Sequence, residues 1–318
     1  MSHNFALTGV SGYVAPRHLK AIKDTGNVLV AAVDPHDAAG ILDRHFDQVE
    51  FFTEFERFDR HIELLRRQGK EHAIDYVSVC SPNYLHDAHS RFALRIGADA
   101  ICEKPLVLSP WNLDALADAE KEYGKRVFTI LQLRVHPALI ALREKLKALP
   151  DDTKHDVRLT YITSRGPWYL TSWKGQIERS GGLTTNIGIH FFDLLMWFFG
   201  SVKKSEVHLA TPTHTGGFLE LDNARVQWFL STDKNDLPDD IKANGQTTYR
   251  SITIDGDEVE FSGGFTDLHT VVYQETLAGR GFGLDHARPS VELVHNIREA
   301  EIMGVTDSSH PFLSRLKK

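Results

Sequence analysis

The chain has 318 residues, with 42% hydrophobic and 25% charged residues, a composition typical of a globular protein large enough for two domains. The formal net charge of −7 argues against a surface built broadly for nucleic acid or anionic membranes. No apolar run approaches the ~18 residues that a membrane span needs, and no signal-peptide pattern is present, so we expect a soluble, cytoplasmic protein.

The first 133 residues alternate strand and helix signals. Strands are predicted at 5–7, 28–33, 49–52, 76–80, 100–102 and 127–131, and helices at 16–25, 36–46, 55–68, 87–96 and 112–123. This alternation of apolar strands and helices predicts a Rossmann domain over 1–133, with a doubly wound parallel sheet covered on both faces. Cys80 and Cys102 lie in two of the strands, and we expect free thiols that pack as small hydrophobic residues.

The pattern changes in residues 134–318. Helices are predicted at 137–148, 182–199 and 290–303, strands at 156–164, 203–211, 222–232, 248–254 and 257–262, and an exposed loop at 233–247. Longer, alternating strands joined by hairpin-like turns such as Asp255-Gly256 predict an α+β domain with a large, mostly antiparallel open sheet.

A glycine turn follows the first strand, with Gly9, Gly12 and Ala15 in a G-x-x-G-x-x-A spacing. Such a turn lets a backbone approach closely, and the helix that follows offers free N–H groups to a pyrophosphate. Asp34 ends the second strand, where a carboxylate accepts ribose hydroxyls and repels a 2′-phosphate. Because no Arg or Lys follows it directly, we predict NAD rather than NADP. The alternative is a plain β–α turn with Asp34 as a helix cap.

Two further polar loops follow parallel strands, at the sheet edge where such folds bind ligands. One is Ser81-Pro82-Asn83-Tyr84-Leu85-His86 and the other is Glu103-Lys104-Pro105. Taken singly, Asn83 could form a turn and Glu103-Lys104 a surface pair. Together with the glycine turn, the loops predict a dinucleotide site.

The predicted helix at 182–199 is strongly apolar, yet it carries Asn186, His190 and Asp193 at i, i+4 and i+7. This spacing places the three on one helical face. Buried polar groups need hydrogen bonds, so the stripe predicts either the wall of an active site or a satisfied core histidine.

The segment 163–175 is dense in aromatic and cationic side chains. It contains Arg165, Trp168, Tyr169, Trp173 and Lys174. Aromatic faces suit a base or sugar, and cations suit a carboxylate or diphosphate, although a subunit contact could use the same residues. Other histidines, such as His86 and His89, lack partners at metal-ligand spacing, so we predict no metal.

The glycine turn, S-P-N-x-x-H, E-K-P and the later G-G-x-x-x-N-x-x-x-H helix, in this order, resemble the Gfo/Idh/MocA oxidoreductase family. Within the family, A-P-R-H at 15–18, R-G-x-W at 165–168 and T-N-I-G-I-H-F-F-D at 185–193 are most similar to bacterial UDP-N-acetyl-2-amino-2-deoxyglucuronate (UDP-GlcNAcA) 3-dehydrogenases. Those enzymes make amino-uronic acid precursors for lipopolysaccharide O-antigens.

The motifs and the resemblance together assign the site residues. Cofactor contacts are expected from Gly9, Ser11, Gly12, Tyr13, Val14, Asp34, Ser81, Pro82, Asn83, His86, Glu103 and Lys104. Substrate contacts are expected from Arg17, Lys104, Arg165, Trp168, Tyr169, Trp173, Lys174, Asn186, His190 and Arg288, although Arg17 could equally be a surface residue.

The resemblance implies catalysis by Lys104, His190 and Asn186. Lys104 would polarise the reacting oxygen, and His190 is the better general base because an ordinary imidazole titrates near neutral pH. The family's usual acidic residue four positions before this histidine is here Asn186, which can orient substrate or cofactor but cannot relay a proton.

The expected function is therefore NAD-dependent oxidation of the C3 hydroxyl of UDP-GlcNAcA to the 3-keto sugar. The resemblance further implies recycling of NADH by 2-oxoglutarate and a homo-oligomer, a dimer or tetramer, formed through the open sheet. Two alternatives stay open: a dehydrogenase of a free sugar, inositol or another polyol, and a non-catalytic sensor of NAD or a sugar nucleotide. Lys104 and His190 argue against the sensor, and the aromatic–cationic loop argues against the polyol.

Overall fold

The computed structural model describes residues 2–150, 152–261 and 267–316. The chain divides into two compact units, Met1–Val135 with Gly264–Arg288 and His136–Gly263 with Pro289–Lys318. The sequence predicts that all of residues 134–318 form the second domain. In the structure, the segment Gly264–Arg288 belongs to the first unit instead. The physical cause is the helix Leu268–Leu277, which buries Val272 and Tyr273 in the core of the first unit.

The strands of the described residues are numbered in chain order. They are β1 Asn4–Thr8, β2 Val28–Val33, β3 Glu50–Phe52, β4 Tyr76–Val79, β5 Asp99–Cys102, β6 Val127–Thr129, β7 His155–Thr163, β8 Val202–Ala210, β9 His214–Leu221, β10 Ala224–Ser231, β11 Thr248–Ile254 and β12 Asp257–Glu258.

The α-helices of the described residues are α1 Ala15–Asp24, α2 Ala39–Leu42, α3 Phe55–Gln68, α4 His86–Arg95, α5 Pro110–Tyr123, α6 Pro137–Lys147, α7 Trp168–Thr171, α8 Ile177–Ser180, α9 Ile189–Phe199, α10 Asp239–Ala243, α11 Leu268–Leu277, α12 Leu284–Glu299 and α13 Pro311–Arg315. Short 3₁₀ turns lie at Asn83–Leu85, Gln132–Val135, Trp173–Gly175 and Lys234–Asp236, and a π-helical turn lies at Thr184–Gly188. None of the described helices is long and apolar enough to span a membrane.

The sheet of the first unit has the order β3-β2-β1-β4-β5-β6, and all its pairs are parallel. This confirms the predicted doubly wound fold. In the register of the sheet, Thr8 lies opposite Val79, and Val79 lies opposite Cys102. The segments that follow these three residues therefore start side by side at the carboxyl edge of the sheet.

The sheet of the second unit has the order β12-β11-β7-β10-β9-β8. Only the β7–β10 pair is parallel, so the predicted mostly antiparallel sheet is confirmed. Helix α9 packs on one face, where the rings of Phe192 and Trp228 meet edge to face at 5.3 Å. On the other face, Leu313 of α13 packs with Phe229 and Ile162.

Several predicted elements differ from the structure. The predicted helix at 36–46 is observed only as α2, which contains Gly40, a residue that disfavours helix by about 1 kcal/mol. The predicted strand at 257–262 is observed only as β12, and residue 262 lies outside the described residues. The predicted loop at 233–247 contains a 3₁₀ turn and α10.

Strand β9 and helix α11 lie where neither a strand nor a helix is predicted, and so do the short helices α7, α8 and α13. The last long helix also begins earlier than predicted, because Pro289 lies inside α12 instead of marking its start. Pro289 is the sixth residue of α12, so it removes one backbone hydrogen bond of the helix.

Candidate active site

The glycine turn joins β1 to α1 and packs closely against the loop that follows β4. Gly9 has φ +87°, and a Cβ on it would lie 2.5 Å from the backbone nitrogen of Ser81. The Gly9 N–H donates to the Val33 carbonyl at 2.8 Å. Helix α1 begins without a side-chain cap, and its first N–H groups, on Ala15 and Arg17, donate to the Gly12 and Val14 carbonyls, so the anion would meet the positive end of the helix and the turn before it. This cradle fits the pyrophosphate of a dinucleotide.

Replacing Gly9 by Ala is expected to lower the melting temperature and weaken NAD binding. A left-handed φ costs an alanine about 1–2 kcal/mol, and here the added methyl also meets backbone atoms. Gly26→Ala is the matched control, because Gly26 has φ +74° with no atom within 4 Å of a Cβ. Thermal unfolding and calorimetric NAD titration should show the larger loss at Gly9; equal losses in both variants would contradict the cradle.

Asp34 lies directly after β2 and is only 4% exposed. One of its oxygens accepts hydrogen bonds from the Ser11 backbone N–H and hydroxyl, both at 2.8 Å. The other accepts from the His36 N–H at 2.9 Å. The carboxylate therefore ties the glycine turn to the end of β2. The contact between Asp34 and a ribose stays a prediction. The ribose hydroxyls would donate to the remaining lone pairs of these oxygens.

His86 is buried between the two loops predicted to bind the cofactor. Its Nε2 lies 2.7 Å from the Ser81 carbonyl oxygen, and its Nδ1 lies 2.6 Å from that of Pro105. Burial lowers the pKa of His86, and a neutral ring donates to only one of these carbonyls, but its close contact with both loops positions them. In the first loop Ser81 and Asn83 are also buried, while Pro82 is half-buried.

Glu103 and Lys104 follow β5, and the Lys104–Pro105 peptide bond is cis. Lys104 is half-buried, whereas Glu103 is 5% exposed. One Glu103 oxygen lies 3.0 Å from His18 Nε2 and 2.9 Å from His269 Nε2, and the other accepts the Lys104 backbone N–H at 3.1 Å. Burial raises the pKa of Glu103, but the hydrogen bonds from the two histidines outweigh it and hold that pKa well below its usual range.

The cluster continues into the core of the first unit. The Tyr273 hydroxyl lies 2.7 Å from His18 Nδ1 and 2.6 Å from the Ser78 hydroxyl. Burial lowers the pKa of the fully buried His18 and raises that of Tyr273 well above its usual range. These residues do not figure among the predicted site residues; the only sequence signal was His18 in the A-P-R-H motif.

The remaining predicted residues of the first unit are more open. Tyr13 is 82% exposed, and the Arg17 guanidinium lies 5.7 Å from the centre of its ring, so both are accessible near the start of α1. Val14 is half-buried beside them. Arg288 instead forms an ion pair with Asp114 of α5 at 2.7 Å.

In the second unit, a π-helical turn at Thr184–Gly188 leads into α9. Asn186 and His190 are half-buried, whereas Asp193 is 2% exposed. Of the three residues predicted to share one helical face, Asn186 and His190 are therefore accessible, and Asp193 is a carboxylate in the core. The His190 ring packs 4.2 Å from the ring of Phe191 and lies edge to face with Tyr161 at 6.1 Å. π-turns are frequent at functional sites because they re-aim side chains.

The aromatic–cationic segment forms two short helical turns, α7 and Trp173–Gly175. Asn186 Nδ2 donates to the Tyr169 hydroxyl at 2.7 Å, so the segment and the π-turn are connected. Trp168 is 82% exposed and Arg165 is exposed. Lys174 lies over the ring of Trp173 at 5.7 Å, and burial together with the charge of Arg165 lowers its pKa.

Family models match most of the chain. The model for the oxidoreductase family's NAD-binding Rossmann fold covers residues 3–131, and the model for its C-terminal alpha/beta domain covers residues 153–261. The chain belongs to the Gfo/Idh/MocA oxidoreductase family. The resemblance seen in the sequence motifs is thereby confirmed.

Two solved structures of one bacterial dehydrogenase are similar to this chain over nearly its whole length. The WlbA (WbpB) dehydrogenase from Thermus thermophilus is 52% identical, with a TM-score of 0.93, and the match covers 98% of this chain and 100% of that chain. It has been solved in complex with NAD and alpha-ketoglutarate, and in complex with NAD and UDP-GlcNAcA.

Other relatives are less similar in sequence. The D-glucoside 3-dehydrogenase of Escherichia coli is 30% identical over 159 residues, 47% of this chain and 44% of that protein. The chain spans about half the length of the curated relatives it matches. The WlbA dehydrogenase from Bordetella pertussis, at 20% identity and a TM-score of 0.75 over 93% of this chain and 94% of that one, shows the shared fold.

Proposed function

We propose that this protein is an NAD-dependent dehydrogenase that oxidises the C3 hydroxyl of UDP-GlcNAcA to the 3-keto sugar. The observation that carries the proposal is the 52% identity, over nearly the whole chain, to a dehydrogenase that binds NAD and UDP-GlcNAcA. The close-packed glycine turn before α1 and the aromatic–cationic segment suit these two ligands.

Oxidation of a secondary alcohol needs a hydride acceptor, a proton acceptor and a donor that stabilises the developing oxyanion. NAD supplies the hydride acceptor. The Lys104 ammonium holds the substrate oxygen and stabilises its negative charge, and His190 accepts the hydroxyl proton. Asn186 orients the substrate with its amide, which its bond to Tyr169 holds in place.

NAD is preferred to NADP because the Asp34 carboxylate at the end of β2 repels a 2′-phosphate. The next residues, Pro35, His36 and Asp37, include no Arg or Lys that could bind that phosphate. Residues of the glycine turn and of the loops after β4 and β5 hold the cofactor, with His86 and Glu103 acting as the supports described above.

A nucleotide-linked uronic acid matches the chemistry of the segment 163–175. Trp168 and Trp173 offer stacking faces, while Arg165 and Lys174 offer charges for carboxylate or diphosphate oxygens. Arg17, which is exposed near the start of α1, is a further residue of the first unit that can bind an anionic group of the substrate. Arg288 can bind such a group less strongly, because it is already paired with Asp114. A free polyol would use none of these charges.

Two partners follow from the same proposal. The complex of the Thermus relative with alpha-ketoglutarate supports 2-oxoglutarate as the co-substrate that reoxidises NADH. A homodimer or homotetramer uses the open part of the second unit's sheet, where exposed side chains of β7 and β10 border a concavity of about 430 Å³. A role in O-antigen synthesis and a cytoplasmic location stay predictions.

The decisive test mixes the protein with NAD and UDP-GlcNAcA, with and without 2-oxoglutarate, and follows the sugar by mass spectrometry. We expect a product 2 mass units lighter, with turnover sustained only when 2-oxoglutarate is present. NADP should support less reaction than NAD. Product formed only from inositol or a simple sugar would overturn the substrate assignment, and NAD binding with no oxidation of any alcohol would favour a sensor.

A further inference from the structure

Glu103 is a buried carboxylate one residue before the proposed catalytic lysine. Both of its oxygens are engaged, one by His18 and His269 and the other by the Lys104 backbone N–H. A charge removed from water is stable only when hydrogen bonds replace its hydration. The two histidines therefore decide whether Glu103 stays ionised and in place.

The direction of each hydrogen bond in the cluster follows from the carboxylate. Because Glu103 can only accept, the Nε2 atoms of both His18 and His269 carry protons. Burial lowers the pKa of His18 and so favours the neutral ring, whose Nδ1 has a lone pair and accepts from the Tyr273 hydroxyl. Tyr273 in turn accepts from Ser78. Every proton along Ser78, Tyr273 and His18 therefore points towards Glu103, and such chains strengthen each member.

The cluster links elements that are distant in the chain. Ser78 is in the centre of β4, His18 is on α1, and His269 and Tyr273 are one turn apart on α11. The rings of His18 and His269 meet edge to face at 5.1 Å, and Tyr273 meets His18 in the same way at 5.6 Å. Rigid elements on three sides thus hold the start of the Glu103-Lys104-Pro105 loop.

We propose that His18 and His269 are positioning residues for the dehydrogenase reaction: they hold Glu103 as a carboxylate, and Glu103 fixes the backbone of Lys104. Tyr273 sets the tautomer of His18 that can donate to Glu103. The inference rests on the proposed function for the role of Lys104. Neither histidine has to touch substrate or cofactor for the effect.

The same residues have the composition of a metal site. Within the described ranges, His18, Glu103 and His269 are the set whose ligand atoms lie within 4.8 Å of one another. Their nitrogen–oxygen distances of 2.9 and 3.0 Å are those of hydrogen bonds, and a metal would have to displace both bridging protons. The arrangement favours the hydrogen-bonded carboxylate, and metal content becomes an outcome of the test.

The test compares His18→Leu and His269→Leu with His18→Gln and His269→Gln. Leucine removes the donor, and kcat should fall roughly 10- to 100-fold while the KM values for NAD and UDP-GlcNAcA change less than about 3-fold. Glutamine keeps an N–H donor and should restore most of kcat. Tyr273→Phe keeps the ring and should lower kcat by about 3- to 10-fold. The control is His310→Leu, at a fully buried histidine of the second unit that bonds Thr160.

The pH profile separates positioning from a general loss of stability. The titratable groups that face Glu103 are His18, His86, His269, Tyr273, Cys80, Cys102 and Lys104. In the wild type the low pKa of Glu103 keeps it ionised as pH falls. In His269→Leu burial remains but one donor is lost, so the pKa of Glu103 rises and the acid limb of kcat should move up by about one pH unit or more.

A readout without substrate distinguishes this inference from the proposed function. Hydrogen–deuterium exchange of a peptide spanning 103–108 should speed up in both leucine variants and stay unchanged in His310→Leu. If exchange speeds up in the leucine variants while the wild type fails to oxidise UDP-GlcNAcA, the proposed function is wrong. The inference that the two histidines position the backbone of Lys104 is then still supported. Normal exchange with a normal acid limb in the leucine variants would overturn the inference. So would a stoichiometric transition metal in the purified protein whose removal by EDTA lowers the melting temperature.

Discussion

Lys104→Met is expected to lower kcat for UDP-GlcNAcA oxidation by about 100-fold or more, with little change in NAD affinity. Methionine has a similar length and volume but no charge, so the variant removes the ammonium that stabilises the oxygen as its proton leaves. Because Lys104 is half-buried, its electrostatic effect is stronger than it would be in water. The Glu103 contact to residue 104 uses the backbone N–H and should survive.

Stopped-flow or steady-state NADH absorbance measures the rate, and calorimetry measures the NAD affinity. Lys121→Met is the control, since Lys121 is exposed on α5 of the same unit. Lys104→Arg keeps the charge but changes its shape and reach, and should recover only part of the activity. A kcat for Lys104→Met within about 3-fold of the wild type would remove Lys104 from the chemistry.

The parallel sheet of the first unit could be predicted from the sequence because its strands are buried on both sides. Continuous apolar runs between glycine-ended helices leave little ambiguity, and β2 and α3 have the predicted bounds. The glycine turn and the S-P-N and E-K-P loops could be placed at one edge for the same reason. Parallel strands bring their carboxyl ends together whatever the side chains are.

Strand β9 could not be predicted from its own pattern. It contains Gly216 and Gly217, a pair that favours a turn. In the sheet, a Cβ on Gly217 would lie 2.0 Å from the Glu206 carbonyl oxygen, so the strand needs glycine for a close approach that only the folded neighbours reveal.

The cluster around Glu103 could not be predicted either, because its members come from separate elements. Helix α11 has buried residues around most of its surface, including His269, Thr270 and Tyr273, and so has no clear apolar stripe. His269 lies 166 residues after Glu103 in the chain. The spacing of motifs indicates which segments meet at a sheet edge, but not which core side chains satisfy a buried charge.

His190→Asn is expected to lower kcat about 100-fold, the scale of general base catalysis. The spacing of Asn186 and His190 predicts one helical face, and the π-turn that precedes α9 leaves both side chains accessible while Asp193 is buried. Asparagine keeps a donor and an acceptor but cannot accept the hydroxyl proton. In the wild type, kcat/KM should fall at low pH because a protonated His190 cannot accept the hydroxyl proton. The variant should lose this fall as well as most of its rate.

The control for this change is His295→Asn, at a half-buried histidine on α12 in the same unit that bonds Arg298. His190→Ala assayed with added imidazole provides a second readout, because a small base can enter the space that the ring leaves. Restored turnover that rises with the concentration of neutral imidazole would identify His190 as the proton acceptor. If His190→Asn keeps the wild-type rate and acid limb, the histidine only packs against Phe191 and Tyr161, and Lys104 must take the proton itself.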